Sequence, residues 1–384
     1  MTAAFPEQST RIADYLRTGL LPLWAERGWD RERGGCHEQL EPDRSPSPLG
    51  YRRLTVAGRQ LYVFSEAARL GYAGAHAAHA HRIYEHLAKH FWDRDHGGWY
   101  FKIDLAGAPF DRTKDLYGQA FAMFGLAHYY ASFGRREALE LARETNRLVK
   151  RHLALPAGWF AAAAAEDWTV TERELEQNPH MHLLEAYVAL DKATGEIGFQ
   201  EDAAAVVELF HRQLYDAVSG VLGEFFDAAG RPEAARGHLV EPGHHFEWCW
   251  LLQEGATLWR EAASAEAARA LFEWAERYGV DRERGGVYDA LDRAGAVVRD
   301  SKRLWPQTER IKAHAMRLRR EPRAGGAAAL AAQVEFLFEH YLAADGGWHE
   351  RLDRTLAPIA AVLPATSCYH IFIGLTEALK ALGR

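Results

Sequence analysis

A short turn phrase recurs through the chain and constrains its fold more than any other feature. Trp29-Asp30-Arg31-Glu32-Arg33-Gly34-Gly35 returns as Trp92-Asp93-Arg94-Asp95-His96-Gly97-Gly98 and as Asp281-Arg282-Glu283-Arg284-Gly285-Gly286. Shorter copies stand at Leu155-Pro156-Ala157-Gly158, Asp216-Ala217-Val218-Ser219-Gly220 and Ala344-Asp345-Gly346-Gly347. With Gly35, Gly98, Gly158, Gly220, Gly286 and Gly347 as markers, the successive spacings are 63, 60, 62, 66 and 61 residues. A fixed period of this length marks an array of one supersecondary unit, because each unit buries its apolar face only against its neighbours. Six such units tile the 384 residues.

Each unit predicts the same elements. An amphipathic helix comes first, at Ile12–Arg27, Ala77–Phe91, Glu137–His152, Glu201–Tyr215, Ala265–Tyr278 and Gly326–Tyr341, with apolar residues recurring at three and four. The glycine phrase follows and supplies positive φ. In five units an alternating segment with its own turn comes next, such as Trp99-Tyr100-Phe101-Lys102-Ile103-Asp104 before Ala106-Gly107, and reads as a small β-hairpin. A second, less charged helix closes the unit, near Thr55–Leu70, Lys114–Tyr130, His180–Lys192, Gly243–Leu258, Trp305–Leu318 and Tyr369–Leu382. The connection to the next unit is short.

Twelve helices in six hairpins, the less polar member of each inside, predict an all-α chain folded as one (α/α)6 barrel over residues 1–384. Short β-hairpins are expected in its long loops. An open solenoid is the alternative, but neither end carries an obviously polar capping unit. The long loops all fall on one face, where the inner helices begin, and long loops in a compact fold are usually functional.

Composition narrows the partners. A net charge of −7 offers no basic excess for nucleic acid. No apolar run reaches the length of a membrane span, and no secretory leader is evident, so a cytoplasmic protein is expected. Three cysteines without paired spacing imply neither disulfides nor a zinc framework. Twelve Trp, 15 Tyr and 18 Phe leave aromatic rings to line a pocket as well as a core.

At the six inner-helix starts stand Arg59, Tyr117, His182, His244 with Glu247, Glu309, and His370. From Arg59 to His370 their spacings are 58, 65, 62, 65 and 61, so the polar positions track the repeat while the residue type changes. A purely structural repeat would place the same residue at each mouth. Any one of these side chains alone is more often a cap, a dipole partner or core packing; their convergence on one axis suggests a site. His180 and His245 flank better-placed neighbours and read as bystanders. Three chemistries fit. A metal could be held by His180, His182, His244 and Glu247, although no His-Glu-x-x-His motif supports it. Glu247 and Glu309 could flank a glycosidic bond, which leaves the histidines idle. Proton transfer beside a carbonyl needs a near-neutral base and a cation for the enediolate, and His244, His370 and Arg59 fit that best.

The stretch Glu241-Pro242-Gly243-His244-His245-Phe246-Glu247-Trp248-Cys249-Trp250-Leu251-Leu252, with Trp305-Pro306-Gln307-Thr308-Glu309 and Tyr369-His370, resembles the N-acylglucosamine 2-epimerase superfamily, and its mannose isomerase branch in particular. The resemblance runs over essentially the whole chain. It implies an (α/α)6-barrel enzyme acting on a free sugar, with His244 and His370 as acid/base residues and Arg59 on the reacting oxygens. Asn178, His182 and Glu247 would be polar pocket residues and Tyr117 and Trp305 the pocket wall, with Glu309 a further substrate contact. Glu247 is expected to orient His244. The disaccharide and N-acetylated-sugar epimerases carry a Trp shortly before the final His, whereas here Val362-Leu363-Pro364-Ala365-Thr366-Ser367-Cys368-Tyr369 precedes His370. That implies an aldose–ketose isomerase interconverting D-mannose and D-fructose, with D-lyxose and D-xylulose as a further pair. The alternatives are a sugar 2-epimerase, an isomerase of a C6-anionic sugar (Lys114, Lys302 and Arg303 lie on the loops), or a non-enzymatic sugar- or protein-binding barrel. No phosphate-binding Gly-x-x-x-x-Gly-Lys-Ser/Thr loop occurs, so neither nucleotide nor metal is expected. The partner is a small monosaccharide, and the chain a monomer or homodimer.

Overall fold

The computed structural model describes residues 4–170, 175–259 and 262–383. The inner helices are Leu54–Arg69, Leu116–Phe133, Gln177–Thr194, Pro242–Glu254, Leu304–Arg320 and Ala365–Ala381. Each packs on the next, and the sixth packs back on the first, so the ring closes as a barrel. The outer helices begin at Ala4, His76, Arg136, Ile197, Ala262 and Gly326. The first starts earlier than its apolar periodicity indicates and runs from Ala4 to Glu26 through a π-helical stretch at Tyr15–Leu20. The fourth inner helix stops at Glu254 rather than Leu258: Gly255 interrupts it before a short helix at Ala256–Trp259.

Short hairpins stand in the loops, as at Lys102–Asp104 with Pro109–Asp111, and Ala290–Asp292 with Val297–Arg299. The larger role of the strands is to join units. Tyr51 pairs with Asp104, Lys114 with Ala164, Glu176 with Phe225, Leu239 with Asp292, Lys302 with Leu352, and Gln39 with Pro364. The last ladder joins the first unit to the sixth. Backbone bonds repeat the same ring. The first amide of five inner helices (Leu54, Leu116, Gln177, Leu304, Ala365) donates to the loop of the following unit, at Phe101, Ala162, Glu224, Glu350 and Glu38. The remaining one, the fourth inner helix, starts with Pro242, which has no N–H to satisfy.

The turn phrase explains itself physically. In the three full copies Oδ1 of Asp30, Asp93 and Asp281 accepts the backbone N–H groups two and three residues on, which builds the turn. Oδ2 of the same residues pairs with Arg52, Lys114 and Lys302 at 2.7, 2.7 and 2.8 Å, just before the inner helix. Lys114 and Lys302 are therefore buried structural cations and not ligands for a substrate anion. Neighbouring inner helices of the first two units touch at glycine: a Cβ on Gly58 would lie 2.3 Å from the Phe121 carbonyl oxygen, and one on Gly125 would lie 2.5 Å from that of Gly58. The three cysteines are free and buried. Among the described residues no helix is long and apolar enough to cross a membrane.

Candidate active site

Counting from each inner-helix start, the fourth residues are Ala57, Gln119, His180, His245, Gln307 and Cys368. Gln119 and Gln307 tie the helix to its own loop, with Oε1 accepting the N–H of Trp99 at 3.1 Å and of Val287 at 2.8 Å. His180 and His245 fill the same slot: their Nε2 atoms accept the N–H of Phe160 at 2.9 Å and of Leu222 at 3.1 Å. Both histidines are structural, as their bystander reading implies.

Two residues further along each helix stand Arg59, Phe121, His182, Glu247, Glu309 and His370, at spacings of 62, 61, 65, 62 and 61. These form the inward layer. Tyr117, Asn178, His244 and Trp305 stand one turn nearer the mouth. Together the two layers border a cavity of about 260 Å³. Of the nine site residues read from the sequence, eight line it. Glu309 does not: it is wholly buried beneath His370, whose Nδ1 lies 2.9 Å from its Oε1. Its position makes it a support for His370 rather than a substrate contact.

His244 also differs from expectation. Its Nδ1 is held by Glu224, at 2.9 Å from Oε2, not by Glu247. Burial alone would lower its pKa, but Glu224, with Glu241 and Glu247 nearby, outweighs burial and raises it to about 9. The N-terminus of its helix disfavours charge on this imidazole; the carboxylates win because they carry full charges and Glu224 is within hydrogen-bonding range. His370 goes the other way. Burial, then the positive charges of Arg59 and Lys312, hold it well below the usual histidine value. The site therefore pairs an imidazolium with a neutral imidazole. Trp305 lies between them, its ring 4.9 Å from His244 and 5.8 Å from His370.

Arg59 is buried, donates to the Tyr117 hydroxyl at 2.7 Å and lies 4.1 Å over the Phe121 ring. Its Nε and the Oδ1 of Asn178 are buried without hydrogen-bond partners among the described residues. His182 Nδ1 lies 3.0 Å from Glu185 Oε2, and burial lowers its pKa to about 4, so it is neutral. Glu185 also accepts from the Tyr369 hydroxyl. Glu247 has a bare Oε1, and burial, with Glu309 close by, raises its pKa to about 8. Below these lies Lys312, fully buried, 2.7 Å from Glu309 and 3.8 Å from Glu247.

Among the described residues, the ligand atoms of His182, Glu185 and Glu247 lie within 4.8 Å of one another and are the set that could take up a cation here. Glu185 is already engaged by His182 and Tyr369, and Lys312 sets its own positive charge against Glu247. His180 faces the loop and cannot join them.

Sequence reasoning missed Glu224, Glu185, Lys312 and the rim pair Glu241–Arg303, joined at 2.8 Å. One signal could have found Glu224. Two residues past each loop's first tethered position the chain carries Glu38, Phe101, Ala162, Glu224, Asp289 and Glu350, four of the six acidic. Glu38, Glu224 and Asp289 each accept the N–H of the residue that precedes an inner helix.

A closed barrel of helical hairpins, with two carboxylate-held histidines and an arginine converging at its mouth, defines the class: an (α/α)6 barrel with an acid–base site. The chain belongs to the N-acylglucosamine 2-epimerase (GlcNAc 2-epimerase) family, whose profile matches residues 34–374. It is 33% identical over 394 residues to a mannose-6-phosphate isomerase of Rhizobium meliloti (strain 1021), covering 98% of each chain. The cellobiose 2-epimerase structure from Spirochaeta thermophila DSM 6192 superposes with a TM-score of 0.89 at 25% identity, covering 100% of this chain and 99% of that one. A D-mannose isomerase crystal structure gives 0.87 at 21% identity, covering 98% and 97%. The protein is an enzyme of the isomerase type, a sugar isomerase or epimerase of this family.

Proposed function

We propose that the protein interconverts D-mannose and D-fructose as free sugars, with D-lyxose and D-xylulose as a further pair. The observation that carries this reading is geometric: His244 and His370, each held at Nδ1 by a carboxylate at 2.9 Å, face one cavity of monosaccharide size, and their surroundings push the first toward and the second away from the charged form. His244, as imidazolium, donates a proton to the ring oxygen as the C1–O5 bond breaks, and the neutral imidazole so formed takes up the C1 hydroxyl proton, which leaves the open aldose with its C1 carbonyl. His370 takes the C2 proton of the open aldose. Arg59 faces the charge that develops on O1 and O2 of the cis-enediolate. His370 then returns the proton to C1 while O1 gains and O2 loses a proton, which leaves the ketose. His182 and Asn178 offer hydrogen bonds that orient the sugar.

The charge of the lining supports a neutral substrate. Glu176, Glu224, Glu241 and Glu350, with Glu247 pushed toward its neutral form, border the cavity against Arg59, Arg303 and His244; Arg303 is already paired with Glu241 and Asp289, and His244 with Glu224. A phosphate would meet more carboxylate than guanidinium. Thr366 and Ser367 stand on the lining just before His370, where a second sugar ring would need an aromatic platform.

The charge of His244 also favours one alternative, since an imidazolium facing C2 could return a proton to the opposite face and give the 2-epimer. Incubation in D2O separates the two. Fructose from mannose with deuterium at C1 supports isomerisation; glucose with deuterium at C2 sinks it in favour of epimerisation. Side-by-side turnover of mannose and mannose 6-phosphate tests the charge argument, and faster turnover of the phosphate would overturn it.

A further inference from the structure

The two histidines are each held at Nδ1 by a carboxylate at the same distance, 2.9 Å. What stands behind each carboxylate differs. Glu224 takes only neutral donors besides His244: the Gln177 side-chain amide at 2.8 Å and the Glu241 backbone N–H at 3.1 Å. Glu309 has an ammonium behind it. Lys312 lies one turn along the same helix, fully buried, with Nζ 2.7 Å from Glu309 Oε2 and 4.0 Å over the Trp250 ring. It makes no contact that explains it as a substrate ligand, and it does not border the cavity.

An orienting carboxylate presents a conflict for a histidine base. It fixes the tautomer and the ring, but its charge also favours protonation, as at His244. Cancelling that charge from behind keeps the orientation and removes the pull. We propose that Lys312 is the positioning residue that makes His370 the base of the pair: its ammonium neutralises Glu309, so the carboxylate holds the imidazole without charging it. This rests on the reading of His370 as the base. It adds to burial and the charge of Arg59 in separating His370 from His244, which has Glu241 and Glu247 nearby as well as its own carboxylate partner.

The groups facing His370 are consistent with this balance. Arg59 from the first inner helix and Lys312 from the fifth oppose a positive charge on it. Of the carboxylates, Glu185 on the third is engaged by His182 and Tyr369, Glu309 by Lys312, and Glu247 on the fourth is pushed toward its neutral form. His182 and His244 complete the circle, the first neutral and the second bound to Glu224. Among the described residues, Lys312 is the cation paired with the carboxylate in contact with His370.

The test is a substrate-free NMR titration of the 13C-labelled histidines, with the His370 signal assigned by its loss in His370→Asn. In Lys312→Met the midpoint of His370 is expected to rise by at least about one unit, a tenfold gain in proton affinity. In Lys312→Met/Glu309→Gln it should return to the wild-type position, because the charge and its compensator leave together. The acid limb of kcat/KM should follow the same pattern. A folded Lys312→Met protein with an unmoved midpoint, or a double variant no different from the single, overturns the proposal. If the single variant does not fold, the double carries the test: it must keep the wild-type acid limb, and a shifted limb in the folded double overturns it. Because the midpoint is read without substrate, a midpoint that moves as expected in a protein that turns over no aldose overturns the isomerase reading and leaves the role of Lys312 standing.

Discussion

Replacing Glu224 by Gln keeps the shape of the support under His244 and removes its charge. In the wild type His244 Nδ1 lies 2.9 Å from the carboxylate, and the imidazole titrates at about 9 rather than 6.5. Two unit charges about 4 Å apart at an effective dielectric near 20 interact by about 4 kcal/mol, or roughly three pH units. Glu241 and Glu247 remain in the variant and retain part of the upward pull, so the midpoint should fall to about 6–7. At pH 8 the protonated fraction would then drop roughly ten- to ninetyfold, while at pH 6 it would change by no more than about twofold. The assay is kcat/KM for mannose from pH 5.5 to 9.5. In the wild type the alkaline limb should lie near 9, and in Glu224→Gln it should move into the neutral range with the acid limb unchanged. The linked stability runs in the same sense. A raised histidine pKa contributes stability that is fully present below the unfolded value and is lost as pH rises through about 9, and the variant should lack that alkaline loss. An alkaline limb that stays in place in folded Glu224→Gln refutes the assignment of His244 as the acid.

Arg59→Gln removes the cation facing the enediolate, and single-turnover kinetics should show kcat down by about 10²–10³ with a smaller change in KM. His180→Gln and His245→Gln should retain near-wild-type activity, because Gln119 and Gln307 fill the same slot in other units. His245→Ala leaves the buried Leu222 N–H unpaired and should cost about 1–3 kcal/mol in urea unfolding. Asp93→Asn strips the partner from buried Lys114, and thermal or denaturant unfolding should show a loss of about 3–5 kcal/mol. Burial opposes the charge of Asp93, but Lys114 and two backbone N–H groups hold its pKa below 3.8. That stability is therefore present above the unfolded value and is lost as pH falls through the folded one, so the variant should show a shallower acid unfolding limb.

Much of the molecule was legible because its information is local. The turn phrase recurs since each full copy needs an aspartate to bind successive amides and a glycine at positive φ, and both demands are met within a few residues. The helical periodicity and the six-fold spacing followed, and with them the ring of inner-helix starts. The small shift from Tyr117 and His244 to the inward layer at Phe121 and Glu247 was not legible. Spacing alone does not distinguish positions one helical turn apart, because both lie on the same face.

The sequence by itself determined the repeat, the barrel and eight of the side chains that line the cavity. Only the tertiary structure decided which carboxylate meets which histidine. Glu224 reaches His244 from a loop, Glu309 reaches His370 from the neighbouring helix, and Lys312 neutralises the second but not the first. A charge state depends on burial and on partners brought close by the closed ring. Hence two histidines that look equivalent in sequence come to have opposite tendencies to carry charge in the fold.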